Sequence, residues 1–261
     1  MKKVVLITGG SSGLGRFLAD YLSQRGFVVF AGMRAAEKPS GSVMPIALDV
    51  TDDVSCQNAL NQIHGLHQRI DVLINCAAMT LVGPTDSFSP EEFRGVLDVN
   101  LVGPFRLIKS VIPMMKKQQS GRIINITSLN GKIAFPNFGI YGASKFGLEA
   151  LGLSLRYELA GTGVFVTNIA PGAIAPIAGT KKSPASDKLP HVPAREKFWI
   201  IKTLMPMVRM DEIANTVEKT IRKPAPPSQI ELGRDVKITT FLRGLMPRAC
   251  WDWLITFVWT R

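Results

Sequence analysis

The chain has 261 residues, of which 46% are hydrophobic, so it is long enough to bury the core of one large α/β domain over residues 1–261. Its net charge of +11 suits an anionic ligand or membrane surface, but no aromatic-interleaved basic stripe or nucleic-acid-reading motif accompanies the charge, which argues against nucleic acid. Cys56, Cys76 and Cys250 show no paired or metal-ligand spacing, so we expect no disulfide framework, no metal site and a reducing cytoplasmic compartment.

The first predicted strand, Val4–Ile7, enters a glycine-rich turn that reads Thr8-Gly-Gly-Ser-Ser-Gly-Leu-Gly15. Apolar residues at helical spacing follow the turn. Strand, glycine turn and helix predict a dinucleotide site, because a backbone without side chains can approach a pyrophosphate and a helix N-terminus offers N–H groups to the anion. The alternative is an ordinary flexible turn, which the flanking strand and helix disfavour.

The second predicted strand, Phe27–Gly32, is followed by Met33-Arg34 rather than by an acidic residue. A carboxylate there would accept hydrogen bonds from the ribose hydroxyls of NAD, whereas an arginine pairs with a 2′-phosphate. Arg34 therefore favours NADP(H) over NAD(H), with Ser11 and Ser12 as additional hydroxyl donors. The alternative is that Arg34 is a solvated charge at a strand end.

The middle of the chain continues the alternation of strands and helices. Strands are predicted over Met44–Leu48 and Asp71–Asn75, and the latter is followed by small residues that let a ligand lie close to the backbone. Between them, Asp52 caps a helix whose predicted apolar face comprises Val54, Leu60, Ile63 and Leu66.

A long and largely buried helix is predicted from Pro90 to Ile112, with a kink at Pro104 or Pro113. Asn100 lies among apolar neighbours in this stretch, and a buried amide needs hydrogen-bond partners. It is therefore either a structural tie to a strand or a water anchor in a proton path.

The residues with the clearest chemistry lie at 128–145. Ser128 ends the apolar run that begins at Ile123, and Tyr141 and Lys145 are one turn apart on a predicted helix over residues 141–160. An adjacent ammonium lowers the pKa of a phenol, and a serine hydroxyl beside it can hold a substrate oxygen. The pattern predicts proton transfer to or from an alcohol oxygen; the alternative is a surface Tyr/Lys pair.

The last third contains a strand, Val164–Ile169, a turn at Ala170-Pro171-Gly172, a helix from Asp211 and a short strand, Gln229–Leu232. Residues 173–210 lose regular pattern and are interpreted as a substrate lid. The tail, residues 235–261, is amphipathic and rich in aromatic residues, but it is too interrupted by charge to span a bilayer. It either contacts a membrane surface peripherally or packs on the lid or on a partner subunit.

Alternating strands and helices predict a doubly wound parallel sheet, α/β class, with ligands at the carboxyl ends of the strands. The motifs at that edge resemble those of the short-chain dehydrogenase/reductase superfamily over residues 1–180. The residues that carry the resemblance are Thr8-Gly-Gly-Ser-Ser-Gly-Leu-Gly15, Asp49, Asn75-Cys-Ala-Ala78, Asn100, Ser128, Tyr141-Gly-Ala-Ser-Lys145 and Pro171-Gly172. The tail and lid are loosely similar to the hydroxysteroid and retinol dehydrogenase branch.

The resemblance implies a single Rossmann domain that binds NAD(P) and interconverts alcohols and carbonyls. Tyr141 would be the general acid/base, Lys145 would lower its pKa and hold the nicotinamide ribose, Ser128 would orient the substrate oxygen and Asn100 would position a water. The other implied cofactor contacts are Gly9, Ser11, Gly13 and Leu14 at the pyrophosphate, Asp49 and Val50 at the adenine, Asn75 and Ala77 at its ribose, and Pro171, Gly172 and Ile174 at the nicotinamide.

Three positions depart from the family pattern. Cys76 and Ala78 replace the second asparagine and the glycine of the family's Asn-Asn-Ala-Gly motif, and Pro176 stands where a threonine often contacts the carboxamide, a contact that Thr180 would have to supply. The expected function is an NADP(H)-dependent oxidoreductase for an apolar, bulky alcohol or carbonyl substrate, in a homo-oligomer implied by the family. The alternative is a catalytically silent NADP-binding regulatory or scaffolding protein.

Overall fold

The computed structural model describes residues 1–35, 41–174 and 207–260, with the side chains of the last two of these residues left aside. A seven-stranded sheet of parallel strands, in the order β3-β2-β1-β4-β5-β6-β7, forms its centre. The strands are β1 Val4–Thr8, β2 Val28–Met33, β3 Val43–Ala47, β4 Val72–Asn75, β5 Gly121–Ile126, β6 Val164–Pro171 and β7 Gln229–Leu232. Their apolar runs fit this arrangement, because a parallel strand is covered on both faces.

The helices over the described residues are α1 Gly13–Ser23, α2 Asp53–His67, α3 Pro90–Leu97, α4 Gly103–Lys117, α5 Gly139–Glu158, α6 Met210–Arg222, α7 Arg234–Leu245 and α8 Arg248–Thr260. The buried sides of α1 and α6 pack on one face of the sheet, whereas those of α2 and α4 pack on the other. The doubly wound α/β fold predicted from the sequence is therefore confirmed.

The chain reverses its direction of winding between β1 and β4, which are neighbours in the sheet although β2 and β3 separate them in sequence. Strands β1 to β3 are laid down towards one edge, and β4 to β7 towards the other. Such a reversal opens a crevice at the carboxyl ends of the strands, where ligands bind in open α/β sheets. Thr8 and Asn75 end the two strands that flank the crevice.

The helix predicted from Pro90 is interrupted by one wide turn, Asp98–Val102, with hydrogen bonds of the π type between α3 and α4. Pro104 lies in the first turn of α4 and Pro113 lies inside it. The interruption thus precedes both prolines. The capping box of α3 is formed by Ser89 and Glu92, whose side chains each accept a hydrogen bond from the other's backbone N–H.

The apolar face predicted for α2 is only partly correct. The side chain of Asp52 caps α2 as expected, but Val54 and Leu66 are 66% and 63% exposed, while Cys56 and Ala59 join Leu60 and Ile63 in the buried face. Both exceptions lie in the terminal turns of α2, which extend beyond the sheet-packed centre.

Candidate active site and dinucleotide cleft

Helix α5 presents Tyr141 and Lys145 one turn apart beside the carboxyl end of β5. The Lys145 ammonium lies 5.7 Å from the centre of the Tyr141 ring and donates a hydrogen bond of 2.9 Å to the backbone carbonyl of Ile126. Lys145 is almost fully buried, so this carbonyl fixes the position of the ammonium. The predicted pairing of phenol and lysine is present.

Ser128 lies two residues beyond β5, where its hydroxyl accepts a hydrogen bond of 3.1 Å from the N–H of Asn130. The same side chain hydrogen-bonds to the phenol of Tyr141. The structure therefore brings together the hydroxyl, the phenol and the ammonium that the sequence singled out.

Burial changes the acidity of both titrating groups. It raises the pKa of Tyr141 to about 12, against the hydrogen bond to Ser128, which lowers it. Burial also lowers the pKa of Lys145 to about 8, against the charge of Glu149, which raises it. The expected lowering of the Tyr141 pKa is thus reversed in this structure, because loss of solvent around the phenolate outweighs the favourable contacts. At neutral pH the phenol holds its proton and Lys145 remains charged.

Asn100, in the wide turn between α3 and α4, is fully buried and fully hydrogen-bonded. Its side-chain amide donates to the carbonyl of Met79 at 2.8 Å and to the Ser144 hydroxyl at 2.9 Å, and its side-chain oxygen accepts from the N–H of Met79 at 2.7 Å. Ser144 in turn donates to the carbonyl of Tyr141 at 2.7 Å. Asn100 thus links the segment after β4 to α5 rather than to a strand itself, and its role as a water anchor stays a prediction.

The glycine turn after β1 lies against the segment after β4. Gly9 has a φ of +72°, and a Cβ there would lie 2.9 Å from the Cα of Ala77. Gly15 is equally restricted, because its Cβ would collide with the carbonyl of Gly9. The Thr8 hydroxyl accepts hydrogen bonds from the N–H groups of Cys76, at 3.0 Å, and Ala77, at 2.9 Å. Only glycine permits this close approach.

The N-terminus of α1 follows directly from this turn. Ser12 is its N-cap residue, but its side chain makes no capping hydrogen bond within the described chain, and both Ser11 and Ser12 are exposed. First-turn N–H groups without a side-chain cap are a binding site for an anion. Gly13, with a φ of +55°, and Leu14 complete the predicted pyrophosphate contacts around this terminus.

Arg34 is exposed at the end of β2, near Asp49. Asp49 accepts hydrogen bonds from the backbone and hydroxyl of Thr51, and these bonds together with the charge of Arg34 hold its pKa below the ordinary value. Its carboxylate is therefore ionised at neutral pH. Val50, next in the chain, is buried. The residues predicted for the adenosine end thus lie on adjoining strand ends.

Asn75 ends β4 with one polar atom unused. Its amide donates to Asn125 at 2.8 Å, while its Oδ1 is buried and has no hydrogen-bond partner within the described chain. Buried polar atoms are almost always hydrogen-bonded in folded proteins. This oxygen, together with the glycine turn that side chains would fill, fits a dinucleotide whose ribose hydroxyls can donate to it.

Sequence reasoning missed a buried chain of hydrogen bonds that begins at Asn75. Asn75, Asn125 and Asn168 are register partners on β4, β5 and β6, and Asn125 donates to Asn168 at 2.9 Å. Asn168 then donates to the backbone carbonyl and carboxylate of Glu149 on α5, at 2.9 and 3.0 Å. Amides inside apolar strand runs were the available signal, since each needs a buried partner.

Glu149 is the centre of this network. Its carboxylate also accepts hydrogen bonds from Thr127 at 2.6 Å, Lys132 at 2.9 Å and Gln229 at 3.2 Å. Lying one turn beyond Lys145 on α5, it connects the proton-transfer residues to β4, β5 and β6 through the asparagine chain and to β7 through Gln229.

The predicted nicotinamide end is the least complete part of the site. Pro171 ends β6, and Ile174 pairs with Val208 across the gap in the described chain. The carboxylate of Asp235, on α7, accepts a hydrogen bond of 2.8 Å from Ala173 N–H and occupies the space a side chain at Gly172 would need. Pro176, Thr180 and all of the proposed lid except residues 173–174 and 207–210 lie outside the described residues.

Comparison with known proteins gives a family match over most of the chain. The family model described as short chain dehydrogenase matches residues 3–187. A 3-ketodihydrosphingosine reductase from Bacteroides thetaiotaomicron is 36% identical over 170 residues, which are 65% of this chain and 63% of that protein. The match therefore spans less than two thirds of this relative's length.

Human retinol dehydrogenase 5 is 39% identical over 178 residues, covering 64% of this chain and 55% of its own. Among solved structures, a metagenomic short-chain oxidoreductase in complex with NADP superposes with a TM-score of 0.70, at 26% identity, over 88% of this chain and 96% of its own. The predicted resemblance to the retinol dehydrogenase branch is thus supported by a relative from that branch. From its glycine turn to Pro171-Gly172, this chain belongs to the short-chain dehydrogenase family of oxidoreductases.

Proposed function

We propose that this protein is an NADP(H)-dependent oxidoreductase that interconverts the alcohol and carbonyl forms of an apolar, bulky substrate. The observation that carries the proposal is the contact of the Ser128 hydroxyl with the Tyr141 phenol beside the buried Lys145 ammonium. A hydroxyl, a protonated phenol and a cation together bind a carbonyl oxygen and give it a proton.

The four residues have distinct parts in the proposal. Ser128 holds the substrate oxygen, and Tyr141 delivers the proton in carbonyl reduction, for which its pKa of about 12 keeps it protonated. Lys145 stabilises the phenolate that remains. Asn100 acts through structure, since its hydrogen bonds to Met79 and Ser144 hold α5 against the segment after β4, beside the water position that the family places there.

The cofactor is proposed to lie along the carboxyl edge of the sheet. Gly9, Ser11, Ser12, Gly13 and Leu14 would hold the pyrophosphate, Arg34 the 2′-phosphate, and Asp49 and Val50 the adenine. Asn75 and Ala77 would contact the adjoining ribose, Tyr141 and Lys145 the nicotinamide ribose, and Pro171, Gly172 and Ile174 the nicotinamide. When bound, the nicotinamide exchanges a hydride with the substrate carbon.

Tyr141→Phe tests the catalytic assignment. With NADPH and a panel of long-chain ketones, retinoid aldehydes and steroid ketones, we expect this variant to lose about 10²–10⁴-fold in turnover, because the proton-donating hydroxyl is removed. NADPH affinity in fluorescence titration should fall far less, because the other proposed cofactor contacts remain. Tyr157→Phe is the matched control, because Tyr157 lies on the same helix but is 71% exposed. Undiminished turnover in Tyr141→Phe would refute the assignment. NADPH binding without turnover of any substrate would favour the silent regulatory protein.

Arg34→Asp tests the cofactor preference. It should move the ratio of kcat/KM for NADPH over NADH towards NADH by at least about tenfold, because a carboxylate repels the 2′-phosphate and accepts from a ribose hydroxyl. Arg94→Asp, at an exposed position on α3, is the control. An unchanged ratio would contradict the role of Arg34.

The proposed substrate class is supported by the names of two relatives, which act on a ketodihydrosphingosine and on retinol. We also propose a cytoplasmic homo-oligomer, dimer or tetramer. In the described chain no helix is both long and apolar enough to cross a bilayer.

A further inference from the structure

Helix α7 carries an apolar stripe that faces away from the protein. Ile238, Phe241, Leu242 and Leu245 recur at the spacing of one helix face, and they are 42%, 66%, 39% and 66% exposed. Val236, on the opposite side of the helix, is fully buried. A surface helix normally presents a polar side to solvent. Helix α7 instead packs through Val236 and exposes its apolar side.

Helix α8 continues this exposure. Trp253 and Phe257, one turn apart, are 64% and 39% exposed, and their rings stack with centres 5.2 Å apart. By contrast, Trp251 is 6% exposed and lies beneath the Arg243 guanidinium, 5.9 Å from its ring centre. Trp251 thus anchors α8 to α7, whereas Trp253 is exposed.

The exposed face of α7 is also basic. Helical spacing places Arg234 and Lys237 on the same side as Ile238, Phe241 and Leu245, and both are exposed. Neither forms an ion pair with any described residue. Across α7 and α8 there are four basic residues and two acidic ones, of which Asp235 is hydrogen-bonded to Ala173 and Val236.

Two further cations lie where these helices meet the body of the protein. Arg243 and Arg248 line a cavity of about 480 Å³ whose apolar wall includes Trp251 and Ile255. Its other charged side chains are Asp252 and Lys132, and Lys132 is engaged by Glu149. The helix pair thus combines exposed apolar residues with two groups of cations. Arg234 and Lys237 lie on the exposed side of α7, and Arg243 and Arg248 line the cavity.

We propose that α7 and α8 dock this protein onto an anionic lipid surface. The docking face is formed by Arg234, Lys237, Ile238, Phe241 and Leu245 of α7, and the exposed Trp253 of α8 supplies an additional contact. Basic residues beside exposed aromatic and aliphatic ones are the pattern of a helix that lies in the plane of a membrane interface, with its apolar side among acyl chains and its cations at the headgroups. A second copy suits the face less well, because a two-fold contact would bury Arg234 and Lys237 of both copies against a face that carries no carboxylate to pair with them.

Vesicle sedimentation with the full chain tests the proposal without using catalytic activity. The protein should pellet with phosphatidylcholine vesicles that contain 30% phosphatidylglycerol and remain in the supernatant with pure phosphatidylcholine. Raising the salt to 0.5 M should weaken binding, because the cations act through a screened field.

The double variant Phe241→Ser/Leu245→Ser should lower the apparent affinity for anionic vesicles more than about tenfold, since two apolar side chains no longer enter the bilayer. Lys237→Ser should lower it about fivefold. Leu66→Ser is the matched control, because Leu66 is 63% exposed on α2, outside the proposed face, and should leave binding unchanged.

Three outcomes would overturn the proposal. The first is absence of binding to anionic vesicles, and the second is equal loss in Leu66→Ser and the double variant. The third is a double variant that keeps vesicle binding but dissociates in analytical ultracentrifugation or melts earlier. That result would assign the face to a second copy or to the segment 175–206 of the same chain.

Discussion

Helices α6 and α7 follow each other in the chain and carry the same apolar period, yet they meet opposite surroundings. Ile213, Ala214, Val217 and Ile221 of α6 are all fully buried against the sheet, whereas the corresponding stripe of α7 is exposed. The spacing of apolar residues therefore shows which face of a helix is apolar. It does not show what that face contacts.

Polar groups in the two regions differ in the same way. Around α5 the buried Glu149 receives hydrogen bonds from Thr127, Lys132, Asn168 and Gln229. On α7 the cations Arg234 and Lys237 have no ion-pair partner in the described chain. The polar groups around Glu149 are thus satisfied inside the protein, whereas Arg234 and Lys237 are exposed.

Among the substitutions that compare these two regions, Glu149→Ala should lower the stability of the protein most. Removing the carboxylate takes the acceptor from Lys132 and leaves Asn168 only the backbone carbonyl of residue 149, so we expect the free energy of unfolding to fall by about 3–5 kcal/mol. Urea denaturation measures it. Glu158→Ala, at an exposed position on the same helix, should change stability by less than about 0.5 kcal/mol. Equal effects would show that Glu149 is not a structural centre.

Ile213→Ala and Phe241→Ala compare the two apolar stripes directly. The first should cost about 2–5 kcal/mol in the free energy of unfolding, because it leaves a cavity in the core between α6 and the sheet. The second removes a larger side chain but should cost less than about 0.5 kcal/mol, because that side chain is 66% exposed. A comparable loss for Phe241→Ala in urea denaturation would mean that the α7 stripe is covered in solution.

Gly152→Ala and Gly244→Ala give the smallest expected contrast. A Cβ at Gly152 would collide with the amide of Asn168, whereas one at Gly244 meets nothing within 4 Å. We expect the former to destabilise the protein by about 1–3 kcal/mol and the latter, inside α7, to stabilise it by about 0.5–1 kcal/mol. Thermal unfolding followed by circular dichroism separates the two, and a shift in the same direction for both would contradict the comparison.

Much of the fold was predictable because parallel strands appear as short apolar runs between helices. All seven strands were located to within a few residues, and the glycine turn, Ser128, Tyr141 and Lys145 were placed at one sheet edge. The wide turn at Asp98–Val102 was not predictable from periodicity, since it adds a single widened turn to an otherwise helical pattern.

Two properties of the site depend on information absent from one sequence. The pairing of Asn75, Asn125 and Asn168 requires the register of three strands that are distant in sequence. The pKa of Tyr141 moves upwards because burial dominates, and the degree of burial follows from tertiary packing. The contact of Asp235 with Ala173 was likewise not predictable from the sequence, since only the fold brings α7 to Ala173.

The contact between Asp235 and Ala173 bears on the order of assembly during synthesis. A ribosome releases the glycine turn, Ser128 and Tyr141 well before Asp235, which follows Ala173 by 62 residues. The early strands can therefore associate first, while the backbone at Gly172 and Ala173 gains its carboxylate acceptor only when α7 emerges. The part of the cleft beside Gly172 and Ala173 therefore matures later than its glycine turn.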